Sequence, residues 1–181
     1  MSHADFSALA TSWHDFYLTA GAAAATLIGL LFVGISINLD EFTTDEGTGI
    51  RVLGEQAFAN FVFVLLIALF VLVPDQDQQS LTVQLAIVGA IGTVRILRRA
   101  FVCRGRQTDP FGGWRYVVRR LGLSAVASVG VIAVAALVPN NPISAFYWLL
   151  GVVLIYLTSA ADSAWDLTQG GADRYQSWEP G

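Results

Sequence analysis

Five stretches of the sequence are nearly free of charged side chains, and each is long enough to cross a bilayer: 16–37, 57–73, 81–97, 121–138 and 143–167. A spanning helix needs about 20 mostly apolar residues, because a charged side chain at the bilayer centre costs about 3 kcal/mol on insertion scales. Only 13% of the chain is charged, against about 25% in a soluble domain. The expected fold is therefore all-α. Residues 1–181 form one domain, a polytopic membrane bundle of five transmembrane helices. Pro74 and Pro139 close the second and fourth runs. The runs lack the period-2 alternation of outer-membrane barrel strands, and they exceed the ~9–11 residues of such strands.

The basic residues set an orientation. All 10 are arginine. Five spans alternate sides, so the N-terminal tail, the 74–80 turn and the 139–142 turn share one side, and these hold no Lys or Arg. The other side takes Arg51, Arg95, Arg98, Arg99, Arg104, Arg106, Arg115, Arg119, Arg120 and Arg174. Cytoplasmic loops attract Lys and Arg. The N-terminus is thus expected outside, the C-terminus in the cytoplasm, and the chain in the cytoplasmic (inner) membrane. The start lacks the basic region of a signal peptide, with Asp5 and Asp15 in its place. Trp13, Phe16, Tyr17 and Trp148 read as an outer aromatic belt, and Trp114, Tyr116 and Trp165 as an inner one.

In lipid, small residues let helix backbones approach. Gly21, Ala25 and Gly29 repeat at i+4 in the first run and are expected to pack helices, either within one bundle or between subunits of a homo-oligomer. Ser124 and Ser128 share a face of the fourth run. They are candidates for a pore lining, although serines at such depth more commonly bond to their own helix or a neighbour.

Ionisable groups within a membrane mark functional sites unless they reach the interface. Threading places Arg95, Glu55, Asp162 and Asp166 at similar depth near the inner face. They are either a charged cluster at the inner mouth or a set of wet, snorkelling side chains. An unpaired guanidinium there is costly, so Arg95 is expected to pair with one of the acids, Asp162 first.

The loop 98–120 interleaves Arg98, Arg99, Arg104, Arg106, Arg115, Arg119 and Arg120 with Phe101, Phe111, Trp114 and Tyr116. Guanidinium groups suit phosphate, and each is worth about 1 kcal/mol at an anionic surface. The loop is expected to hold anionic lipid phosphates rather than nucleic acid, being short and tied to the membrane at both ends. Asp109–Pro110 reads as a helix cap, which would make the residues after it a cytoplasmic extension of the fourth span. Thr43 with Glu46 reads as a capping box before the second.

Absences narrow the function. The chain has no Lys, hence no retinal Schiff base and no Walker A lysine. His3 and His14 both lie outside the spans, so no paired intramembrane histidines hold a haem. Cys103 is single, and no H-E-x-x-H, G-x-S-x-G or T-V-G-Y-G stretch occurs. No metal, cofactor or enzymatic activity is expected. Two functions remain: a homo-oligomeric, channel-like protein with its pore between subunits, or a non-transporting accessory or regulatory protein that holds anionic lipid or a partner through the arginine loop.

Overall fold

The computed structural model describes residues 3–37, 48–105 and 114–176, with side-chain surroundings given for 3–37, 54–98, 101 and 122–165. Among the described residues the fold is all-helical, without strands. Six helices follow in order: α1 His3–Ser12, α2 His14–Ile37, α3 Thr48–Val71, α4 Gln78–Gly105, α5 Trp114–Leu137 and α6 Pro142–Gln176. Four carry segments long and apolar enough to cross a membrane: His14–Ile37, Gly54–Val71, Gln78–Arg98 and Pro142–Trp165. The apolar segment described in α5, Gly122–Leu137, is shorter than 18 residues. The α5 backbone runs for 24 residues, or ~36 Å at 1.5 Å per residue.

Local chemistry explains where the helices stop. Pro74 cannot continue α3, and Asp75 turns the chain with φ at 51°, a left-handed conformation that Asp tolerates better than most residues. Asp77 Oδ2 accepts the Gln79 amide at 3.2 Å at the start of α4. Asn141 Oδ1 accepts the Ser144 amide at 3.2 Å, and Pro142 takes the first position of α6. These are the caps a helix entrance prefers.

Helices α3, α6, α5 and α4 form a ring in that order, and the α3–α4 seam closes it most sparsely. Helix α2 lies outside the ring, packed along α3. Buried Phe63, Val64, Ile67, Leu81, Leu85, Val131, Leu149 and Val153 fill the core. At the end of the bundle where α6 begins, a cluster of rings joins α1 and α2 to α6: Phe6 lies 6.2 Å from Phe146, and Trp13 stacks on Phe146 at 5.9 Å. No periodic apolar pattern marks the tail ahead of the first span, yet α1 forms there and buries Phe6.

Leu30, Phe32 and Val33 on α2, Val83, Ile87 and Ile91 on α4, and Val126 and Val129 on α5 are exposed. Surfaces this apolar are unusual for a soluble monomer. The exposed hydroxyls among them are satisfied locally: Thr26 donates to the Ala22 carbonyl at 2.9 Å, Ser36 to Phe32 at 2.8 Å and Thr158 to Leu154 at 2.9 Å. Such back-bonding suits a medium that offers no partner. The helices are compatible with a multi-pass integral membrane protein.

Candidate functional site

Three helices bring polar side chains together inside the bundle. Helix α3 contributes Gln56 and Asn60, one turn apart; α5 contributes Ser124 and Ser128; α6 contributes Tyr156, Ser159 and Ser163. All are buried. The Gln56 amide donates to Ser124 Oγ at 2.6 Å. The Asn60 amide donates to Ser124 Oγ and Ser159 Oγ, each at 3.1 Å. The Ser124 and Ser159 hydroxyls are 3.3 Å apart, and Ser128 meets the Tyr156 hydroxyl at 2.9 Å. Ser128 and Ser163 also donate to the backbone carbonyls of Ser124 and Ser159, both at 2.9 Å. An amide buried in hydrocarbon without a partner would cost several kcal/mol. Mutual satisfaction makes the cluster a cross-brace between α3, α5 and α6.

Glycine brings the fourth helix to the same brace. A Cβ built on Gly92 of α4 would lie 2.6 Å from Ser128 Oγ and 3.5 Å from the Tyr156 hydroxyl. One turn earlier, a Cβ on Gly89 would lie 2.6 Å from Ile132 Cγ1 and 3.1 Å from the Ile132 backbone nitrogen. Helix α4 thus rests directly on the backbone of α5.

Next to the brace, Arg95 of α4 reaches Glu55 of α3. Its Nη2 donates to the Glu55 carbonyl at 2.9 Å and to Glu55 Oε1 at 3.1 Å. Arg95 thus meets the carboxylate of Glu55. Asp162 sits on α6, which the ring order separates from α4, and its side chain is exposed. The side chain of Asp166 lies outside the described ones, so the four residues are not seen as one cluster.

Two further expectations change once burial is known. Ser124 and Ser128 face the interior of a single chain, where Gln56, Asn60, Ser159 and Tyr156 occupy their hydroxyls. They do not lie on a surface that could line a passage between subunits. Of the small-residue stripe on α2, only Gly21 is buried, its Cβ position 3.0 Å from Ala68 Cβ. Ala25 and Gly29 are exposed, with nothing within 4 Å of a Cβ on Gly29. Four residues overshoot one turn by about 40°, so an i+4 series drifts off the contact line. The buried set Tyr17, Ala20, Gly21 and Ala24 stays on it.

Arg98 is exposed on α4, at the end of its apolar segment Gln78–Arg98. Arg99, Arg104, Arg115, Arg119 and Arg120 lie in helices, but their side chains fall outside the described ones, and Arg106 falls outside the described residues altogether. So do the Thr43–Glu46 and Asp109–Pro110 caps; α5 begins at Trp114. Sequence reasoning missed Gln56, Tyr156 and Ser163. The available signal was spacing, since 56 and 60 are one turn apart and 156, 159 and 163 share a helix face.

No family model, no curated protein and no solved structure matches this chain. What stands is its class: a chain all-helical among its described residues and compatible with a multi-pass integral membrane protein.

Proposed function

We propose that the chain is a five-span protein of the cytoplasmic membrane, with its N-terminus outside and its C-terminus inside, and that it is a non-transporting accessory or regulatory protein. In this reading it catalyses no reaction and holds anionic lipid through the arginines of its inner face. The observation that carries the reading is the inward placement of Ser124 and Ser128. The polar side chains best suited to line a passage are used up in bracing one bundle. A solid bundle with one strongly basic end is suited to binding at that end, since each arginine near anionic headgroups is worth about 1 kcal/mol.

Purified protein in liposomes tests this. No ion or small-solute flux above empty vesicles is expected, and flux scaling with the amount of protein overturns the reading. Such flux would favour the second reading, a homo-oligomeric channel-like protein. That reading is supported by Ala25 and Gly29, small residues exposed on α2 where a second copy could approach.

Topology has its own test. With Cys103 replaced, a cysteine at Ser7 or Gln78 is expected to react with an impermeant maleimide on intact cells. A cysteine at Gln107 or Gly171 is expected to react only after lysis. The reverse pattern would invert every placement made from the arginines.

A further inference from the structure

We propose that the seam between α3 and α4 binds an anionic glycerophospholipid of the inner leaflet, its phosphate on Arg95 and one acyl chain along the seam. The proposal rests on the lipid-holding reading above and gives it a site within the spans, apart from the loop. Helices α3 and α4 approach one another more sparsely than the other neighbouring helices. At the arginine-bearing end the seam is tied by Arg95, which bonds Glu55 at 2.9 and 3.1 Å. At the other end the connecting turn is tied back onto α4, Gln76 donating to Gln84 Oε1 at 2.6 Å. Between these ends the surfaces are apolar. Val62 and Leu66 follow Glu55 along one face of α3 and are half-buried, while Ile91, one turn from Arg95 on α4, is exposed. A chain of methylenes can cover such a strip without asking for a hydrogen bond.

Charge selects the headgroup. The Arg95 side chain is 29% exposed, so its guanidinium is partly sheltered yet reachable from the interface. Its partner carboxylate is 65% exposed and is held by no burial of its own. A phosphate offers the guanidinium the same oxygen chemistry with a geometry suited to a two-pronged contact. Arg98, exposed one turn further toward the arginine-rich side, adds a second positive charge at headgroup level. Basic sites between spans on the cytoplasmic side are where anionic headgroups are held. Glu55 then competes with the lipid for Arg95. Free phosphate shares the headgroup chemistry but leaves the apolar strip uncovered.

The test uses full-length protein in a neutral maltoside, with binding read by native mass spectrometry and by the shift in melting temperature. The probes are phosphatidylglycerol, phosphatidylcholine and inorganic phosphate. Phosphatidylglycerol is expected to bind and raise the melting temperature, and the other two are not. Arg95→Gln should weaken binding roughly fivefold, the worth of one arginine at an anionic surface. Glu55→Gln should tighten it by removing the competitor. Leu66→Trp, which fills the strip and keeps every charge, should weaken it. If Arg95→Gln does not fold, Glu55→Gln and Leu66→Trp decide. Unchanged affinity in these variants overturns the seam site while leaving lipid on the loop arginines. Weaker binding in Glu55→Gln makes the ion pair a structural tie and overturns the site. Equal protection by inorganic phosphate also overturns it. A wild-type protein with no preference for phosphatidylglycerol overturns the lipid-holding reading itself.

Discussion

Gly89→Leu is expected to destabilise the protein by at least about 3 kcal/mol, the upper range for overpacking a tight interior. The cause is specific. A Cβ at this position meets the Ile132 side chain at 2.6 Å, the Ile132 amide nitrogen at 3.1 Å and the Ser128 carbonyl at 3.3 Å. The isoleucine can rotate, but the backbone of α5 cannot withdraw without dragging Ser124 and Ser128 from their partners. Gly89→Ala already presses on that backbone and should cost about 1–3 kcal/mol. Gly29→Leu is the matched control in the same kind of helix. Nothing lies within 4 Å of its Cβ position, so a change within about 0.5 kcal/mol is expected. Unfolding in mixed micelles of maltoside and dodecyl sulfate measures all three. Equal losses for Gly89→Leu and Gly29→Leu would refute the placement of α4. A change of particle size in Gly29→Leu, with stability intact, would put the outer face of α2 in a subunit contact.

The second large effect is expected at Asn60. Its amide ties α3 to Ser124 of α5 and Ser159 of α6. Leucine has nearly its shape but no polar atoms, so Asn60→Leu removes the ties and leaves buried hydroxyls with fewer partners. Hydrogen bonds between spans average about 0.6 kcal/mol and reach about 1.7. Two such bonds together with under-satisfied partners give an expected loss of about 1–3 kcal/mol, read in the same titration. Ser124→Ala added to Asn60→Leu should cost less than Ser124→Ala alone, because the brace is already broken. Thr26→Val, which removes a bond within α2 only, should be near neutral. Full additivity at 60 and 124 would show that the bonds do not act as a unit.

The helices were legible because lipid enforces a simple rule, long uncharged runs bounded by breakers such as Pro74 and Asn141–Pro142. The arrangement of those helices was not. In a soluble protein the apolar face points inward, but here lipid and interior are alike apolar, so polarity does not mark the face of α2 that meets α3. Small residues mark it only through exact spacing, which is why Ala20 and Ala24 are buried while Ala25 and Gly29 are exposed. Depth was legible and angular position was not. Glu55, Arg95, Asp162 and Asp166 were assigned by threading to one end of their runs, which says nothing of the direction in which each side chain points. That Arg95 meets Glu55 depended on α3 being a neighbour of α4. The serines were read as a stripe on one helix, but their partners are supplied by sequence positions 56, 60, 156 and 159, and no single run reveals such a junction.

The brace is confined to the half of the bundle nearer the arginines, and the other half is closed by Tyr17, Leu81, Val138, Phe146 and Leu149. The two halves therefore impose different rules of substitution. In the half away from the arginines, aliphatic and aromatic residues of similar volume can replace one another at small cost. In the half nearer them, each of Gln56, Asn60, Ser124 and Ser159 is defined by the atoms it must give to or take from its neighbours. A random-mutagenesis library selected only for folded protein would accordingly return a lopsided map. The half away from the arginines would be rich in interchangeable apolar residues, and the braced half nearly fixed in identity.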